Sequence, residues 1–342
     1  MNVKLKGSFN LIKLIAIGCL ATAILIGCTA DSSDESSPIQ IDGSSTVYPI
    51  TKKIVETYQG STQEQIDITV DFSGTGGGFR KFCQGETDIN NASRPIQVEE
   101  MKACNQGKIR YIELPIAFDA ITVVVNPQND WLDSITIEEL KTIWSPKAEE
   151  KITRWNQFRA DLPNQPLNLY APGADSGTFD YFTEAVVGKA GASRSDYLKS
   201  EDDEILVQGV SQDPNALGYF GLAYYEQHST DMKAVAIDSV SGAVLPSRET
   251  VEQAQYQPLA RPLFIYINAA SAQKNPALVQ FIEFYLNKVA EIVPEVGYIP
   301  LPEEAYHIDE VTFHKGEVGT VFEGKSQFNL TIPELLRQQA QF

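Results

Sequence analysis

Along most of the chain, short apolar runs typical of β-strands alternate with stretches in which apolar residues recur at helical spacing. From residue 39 onward, short β-branched runs such as IQIDG and IDITVDFSG are each followed by a stretch with helical spacing. In the first of these stretches, residues 46–58, apolar side chains recur every three or four positions, as on the buried face of a helix. Strands that alternate with helices in this way predict an α/β fold built on a mainly parallel sheet.

The same alternation continues to about residue 290. Further helices are predicted over 76–84, 98–105, 137–144, 178–187, 222–228 and 277–293, and further strands over 88–93, 111–118, 120–126, 167–173, 216–221, 233–238 and 262–268. Strongly apolar segments lie near 119–125 and 263–268 and are suited to cross between two halves of the molecule.

Two domain organisations fit this pattern. We expect two α/β lobes joined by a two-strand hinge, with lobe I formed by 39–118 plus 265–342 and lobe II by 119–264. The alternative is one large doubly wound domain. The segment 306–342 has no role that its sequence indicates.

The N-terminal segment differs from the rest. A lysine-containing start is followed by an apolar run that ends in Leu25-Ile26-Gly27-Cys28, which resembles a bacterial lipobox. This predicts a lipoprotein signal peptide over 1–27, cleavage before Cys28 and a lipid on its thiol. The alternatives are an uncleaved signal-anchor helix, or cleavage at the weaker site before Cys19. Residues 28–38 are too polar to bury and predict a solvated tether.

Charge and cysteine content narrow the function further. The chain of 342 residues has a net charge of -18, and the predicted cleavage removes three lysines and no acid, leaving -21. With no basic block, nucleic-acid binding is excluded.

Beyond Cys28 only Cys83 and Cys104 remain, and two cysteines in an exported chain favour a disulfide over two buried thiols.

Three clusters rich in glycine and hydroxyl groups each lie between a predicted strand and a predicted helix. They are DGSSTVYP at 42–49, SGTGGGFR at 73–80 and DSGT at 175–178. A helix N-terminus offers free N–H groups and partial positive charge, so each cluster suits an anion. Any one of them also suits a plain helix cap. In an open α/β sheet such turns meet at one edge, where ligands bind.

The residues around these clusters do not match the catalytic motifs that an enzyme would need. Ser176 lacks a Gly-x-Ser-x-Gly context, and the only histidines are His228, His307 and His314, without metal-ligand spacing. No lysine follows the glycine loop as in a nucleotide-binding P-loop. We therefore expect a binding protein, not an enzyme, that has no cofactor and no metal.

The order and spacing of these motifs, together with NASRP at 91–95, resemble the phosphate-binding protein of the ABC-type phosphate importer, the PstS family, in its cyanobacterial form. The resemblance covers about 39–298. It implies a type II periplasmic-binding-protein fold, two lobes closing on inorganic phosphate, and partners that are the permease and ATPase of an importer. It also implies an extracytoplasmic (periplasmic) monomer, which the predicted lipid on Cys28 would anchor to the membrane.

Site residues carry over motif by motif from this resemblance. The phosphate ligands it implies are Ser45, Thr46, Val47, Thr75, Ser176, Gly177 and Thr178. Arg94 stands where the best-known members have a ligand aspartate, and Pro172 stands where they have a ligand arginine. We therefore expect Arg94 to bind phosphate and to be the only formal positive charge of the site. Asp42 and Asp175 are the nearby candidates to accept the proton of phosphate.

Overall fold

The computed structural model describes residues 38–61, 66–239 and 242–341. The predicted signal peptide, the lipidation site Cys28 and all of the predicted tether except Pro38 lie outside the described residues. None of the helices in these ranges combines the length and the apolar character that crossing a bilayer requires.

Strands and helices alternate as the periodicity predicts. The strands are β1 Ile39–Gly43, β2 Ile68–Val70, β3 Ile89–Ala92, β4 Tyr111–Val125, β5 Ser134–Thr136, β6 Asn168–Pro172, β7 Leu198–Ser200, β8 Ala216–Gly221, β9 Lys233–Ala234, β10 Ala236–Ser239, β11 Gly242–Val244 and β12 Ala260–Asn268. The α-helices are α1 Tyr48–Ser61, α2 Thr75–Phe82, α3 Val98–Gln106, α4 Ile137–Trp144, α5 Gly177–Val187, α6 Asp203–Gln212, α7 Leu222–Gln227, α8 Arg248–Glu252, α9 Ala269–Lys274, α10 Pro276–Glu295, α11 Glu303–Lys315 and α12 Ile332–Gln339. Short 3₁₀ turns lie at Pro146–Ala148 and Trp155–Gln157.

The main sheet is mixed, which corrects the expectation of a mainly parallel one. Its strand order is β2-β1-β3-β12-β4-β8-β6-β7, and β9 also pairs with β4. The outer strands on both sides run parallel, whereas β12 and β4 at the centre pair antiparallel with each other and with their neighbours. The central strands come from separate parts of the chain, so strand-helix alternation along the sequence does not determine their direction.

The two central strands are longer than predicted. The runs expected at 111–118 and 120–126 form one strand of 15 residues, β4, in which every residue is buried. Residues 111–120 of β4 pair with β12. A bulge interrupts this pairing, so that Ile116, next to Pro115, has no residue of β12 opposite it. Proline has no N–H to donate to a ladder, so an irregularity beside it is expected within a sheet.

Helices α2 and α3 are linked covalently at one side of this sheet. Cys83 at the end of α2 and Cys104 in α3 form a disulfide, as the sequence predicts. Both cysteines are also buried, so the link lies inside the core rather than on the surface.

The C-terminal segment packs against the central strands. Gly319 bridges to Ile112 of β4, and Phe322 makes an edge contact with Phe264 of β12, with ring centroids 5.3 Å apart. Further along, Phe328 contacts Tyr181 of α5, also at 5.3 Å. This part of the chain therefore packs against β4, β12 and α5.

Candidate functional site

The three glycine and hydroxyl clusters lie where the sequence places them. They occupy the junctions from β1 to α1, from β2 to α2 and from β6 to α5. Although more than a hundred residues separate the first cluster from the third, the fold brings all three into contact.

A hydrogen bond joins the first cluster to the third. The hydroxyl oxygens of Thr46 and Thr178 are 3.2 Å apart, and both side chains are buried. Val47, the next residue, is also buried, and its carbonyl accepts from the backbone of α1. The start of α1 is therefore held directly against the start of α5.

Backbone contacts join the second cluster to the third. The N–H of Gly76 donates to the carbonyl of Asp175 over 2.9 Å. Gly74 has a φ of +79°, and a Cβ there would lie 2.3 Å from the same carbonyl. At Gly177 a Cβ would lie 2.4 Å from the Thr75 hydroxyl. Gly74 is required because the two loops approach each other backbone to backbone, and Gly177 leaves room for the Thr75 side chain.

The loop after β3 adds a fourth wall. Ser93 places its hydroxyl 3.2 Å from that of Thr75, and its N–H donates to the Thr75 hydroxyl over 3.1 Å. The family resemblance predicted a role for the neighbouring Arg94 but did not single out Ser93. Hydroxyls of Thr46, Thr75, Ser93 and Thr178 thus gather among four loops.

Two predicted serines have partners of their own. The Ser176 hydroxyl is the N-cap of α5 and accepts from the N–H groups of Thr178 and Phe179. The Ser45 hydroxyl donates to the buried carboxylate of Asp203 over 3.0 Å. Burial raises the pKa of Asp203 to about 7, although the Ser45 hydrogen bond acts in the opposite direction.

Arg94 is buried, with 2% of its side chain exposed, and each of its three nitrogens donates to a partner. Its Nη1 and Nη2 donate to the two carboxylate oxygens of Glu100 over 2.8 and 2.7 Å, and its Nε donates to Asp180 over 2.8 Å. Nη1 also donates to the carbonyl of Pro95. Burial lowers the pKa of Arg94, but the two carboxylates outweigh it and hold the pKa above its usual value.

A second arginine, which the sequence analysis missed, lies at the site. Arg261 of β12 is fully buried, and its Nη2 donates to the Thr178 hydroxyl over 2.8 Å and lies 3.5 Å from that of Thr46. Its carboxylate partner is Asp119, at 2.8 Å. Arg94 is therefore not the only buried arginine beside the hydroxyl cluster. The sequence did offer one indication of Arg261, which is a charged residue inside the apolar run ARPLFIYIN. A charged side chain in a buried strand needs an ion-pair partner or a ligand.

Neither aspartate considered for the phosphate proton is unpaired. Asp42 accepts from the N–H and hydroxyl of Ser73 and from the ammonium of Lys81. Asp175 forms a two-bond ion pair with Arg80, whose hydrogen bond lowers the pKa of Asp175. Both carboxylates tie loops together at the edge of the cluster.

Comparisons with known proteins place the chain in a family. The family model described as a PBP superfamily domain matches residues 29–289. Protein SphX of Synechocystis sp. is 63% identical over 93% of this chain and 95% of its own length. The phosphate-binding protein PstS of Staphylococcus saprophyticus is 35% identical over 86% of this chain and 91% of its own length.

Solved structures resemble the fold as well. A structure from Planctomyces limnophilus, described as a possible phosphate binding protein, is 41% identical, with a TM-score of 0.61 over 82% of this chain and 99% of its own. An ABC-type phosphate transport receptor from Vibrio cholerae shares the fold at 23% identity, with a TM-score of 0.59 over 76% of this chain and 99% of its own.

The class is therefore that of the PBP superfamily of type II, with a mixed α/β fold, and the protein is a binding protein and not an enzyme. Within it, the chain belongs to the SphX and PstS family of phosphate-binding proteins.

Proposed function

We propose that this protein captures inorganic phosphate among the four loops and delivers it to the permease and ATPase of an ABC importer. The observation that carries this proposal is the meeting of Thr46, Thr75 and Thr178 at the starts of three helices, in a fold shared with phosphate-binding proteins. Helix N-termini and buried hydroxyls can replace the hydration shell of an anion.

The ligand set that we propose follows from the same loops. It consists of hydroxyl and N–H groups of Ser45, Thr46, Val47, Thr75, Ser176, Gly177 and Thr178. Arg94 is not in this set and lies against the second loop, with Nη2 3.6 Å from where a Cβ of Gly76 would be. Because carboxylates hold its Nε, Nη1 and Nη2, we assign Arg94 to anchoring the loop after β3.

Direct binding tests the capture step. Equilibrium dialysis of the full-length protein with radiolabelled phosphate should show saturable binding with one site. Unlabelled phosphate should displace the label, and arsenate and sulfate added separately test the alternative that another tetrahedral oxyanion is the ligand. Absence of phosphate binding, or displacement by sulfate as readily as by phosphate, contradicts the proposal.

Delivery and localisation need tests in cells. We propose that the protein is exported and held at the membrane by a lipid on Cys28. Replacing Cys28 by alanine should prevent lipidation, and mass spectrometry of the N-terminus reports the modification. Loss of the gene should lower phosphate uptake, whereas unchanged uptake would leave a phosphate-sensing lipoprotein as the better explanation.

A further inference from the structure

The two buried arginines near the hydroxyl cluster differ in their charge balance. Arg94 lies between two carboxylates, those of Glu100 and Asp180. Arg261 has hydrogen bonds to one carboxylate, that of Asp119. An anion placed at Arg94 would therefore meet a group that already carries excess negative charge, and like charges repel strongly in a poorly solvated interior.

The donors of Arg261 are not all used. Its Nε and Nη2 donate to Asp119, and Nη2 also donates to the Thr178 hydroxyl. Its Nη1 is buried and has no hydrogen-bond partner among the described residues. A guanidinium offers five N–H donors, and a buried unpaired donor costs free energy unless something accepts from it.

The position of Arg261 connects it to the cluster. Its Nη2 contacts the hydroxyls of Thr46 and Thr178, which belong to the first and third loops. Cζ of Arg261 also lies over the Tyr181 ring, 6.0 Å from its centroid. An anion bound by those two hydroxyls would lie beside the same guanidinium.

We infer that Arg261 is the cation that binds the phosphate directly, donating from Nη1, while Asp119 holds the guanidinium in place. This inference rests on the proposed function and adds a ligand that none of the glycine and hydroxyl motifs contains. It also gives the site a positive charge although Pro172 stands where relatives have an arginine.

The test compares variants of the full-length protein by dialysis with radiolabelled orthophosphate. Loss of a buried, charge-assisted contact should weaken binding about 100-fold in Arg261→Gln. Arg261→Lys keeps the charge but not the planar guanidinium that Asp119 holds in place, and it should weaken binding roughly 10-fold. Arg194→Gln is the matched control, because Arg194 is also buried and paired with a carboxylate, that of Asp196.

Folding of each variant is checked by circular dichroism and by its urea midpoint. If Arg261→Gln does not fold, the lysine variant decides the question by itself. Binding within about threefold of wild type in a folded Arg261 variant overturns the inference, as does an equal loss in the Arg194 control. Failure of the wild-type protein to bind phosphate would instead contradict the proposed function.

Discussion

Thr178 is the residue at which most contacts of the site meet. Its hydroxyl lies 3.2 Å from that of Thr46 and accepts a hydrogen bond from Arg261, and its N–H donates to the Ser176 hydroxyl. It is also the first threonine of α5, so it lies where the helix dipole favours negative charge.

Replacing Thr178 by valine should therefore weaken phosphate binding without reshaping the pocket. A neutral hydrogen bond contributes about 1 kcal/mol, which corresponds to roughly fivefold in the dissociation constant. Dialysis with radiolabelled phosphate measures the change. Thr142→Val is the control, because the exposed Thr142 hydroxyl donates to the Glu138 carbonyl of its own helix, α4. Equal affinity of the Thr178 variant and the control would exclude a ligand role for this hydroxyl.

At the scale of elements, the disulfide holds α2 and α3 together. The cysteines are separated by 21 positions in the sequence. Closing a loop of this length should stabilise the fold by about 3 kcal/mol in the chain-entropy model.

Reduction should accordingly lower the urea midpoint of the wild-type protein. The control is a double variant, Cys83→Ala with Cys104→Ala, in which reductant should have no effect on the midpoint. A wild-type midpoint that does not respond to reductant would show that the link contributes nothing to stability.

The C-terminal segment and the central strands meet at a buried acid. Glu113 of β4 accepts from the Tyr266 hydroxyl over 2.6 Å and from the N–H of Val321 over 3.1 Å. Burial raises the pKa of Glu113 to about 7 from an ordinary value of 4.5, although its hydrogen bonds act in the opposite direction. Between these two values the folded protein holds a proton that the unfolded chain has released.

This linkage predicts that stability falls as the pH rises from 4.5 to 7. Relative to Glu113→Gln, which stays neutral, the wild-type protein should lose about 3 kcal/mol of unfolding free energy over that interval. Urea unfolding at several pH values measures the difference between the two proteins. Glu86→Gln, at an exposed position, should retain the wild-type pH dependence. Parallel profiles for wild type and Glu113→Gln would contradict the prediction.

At the scale of the whole molecule, β4 and β12 connect the two sides of the sheet. β12 pairs with β3 on one side, and the last residues of β4 pair with β8 on the other. The site hydroxyls come from both sides, since Thr46 follows β1 and Thr178 follows β6. We propose that these strands are the hinge between lobe I and lobe II, as the sequence predicts.

If the lobes close on the ligand, small-angle scattering should show a smaller radius of gyration with phosphate than without it. The folded Arg261→Gln variant serves as the control, because a protein that does not bind phosphate should not compact. Identical scattering of the wild-type protein in both conditions would contradict ligand-driven closure.

The sequence by itself determined the three helix starts, the disulfide and many of the elements up to about residue 293, but it did not predict α6, α8, α9, α11 or α12. Periodicity and turn residues act locally, so IQIDG, LNLYAPG and the glycine clusters specify strands and helix starts without reference to distant parts of the chain. The disulfide could be predicted because Cys83 and Cys104 are the two cysteines that follow Cys28 in the sequence.

Only the tertiary structure decided the direction of the central strands and the charge balance of the site. Arg261 and Asp119 are 142 positions apart, and Ser45 and Asp203 are 158 apart, so no local pattern records these partnerships. Arg94 shows the same limit, because its neutralisation by Asp180 depends on α5 packing against the loop after β3. Ion pairs and hydrogen bonds form between groups that are close in space. Which groups are close is decided by how the helices and strands pack, and not by their positions along the sequence.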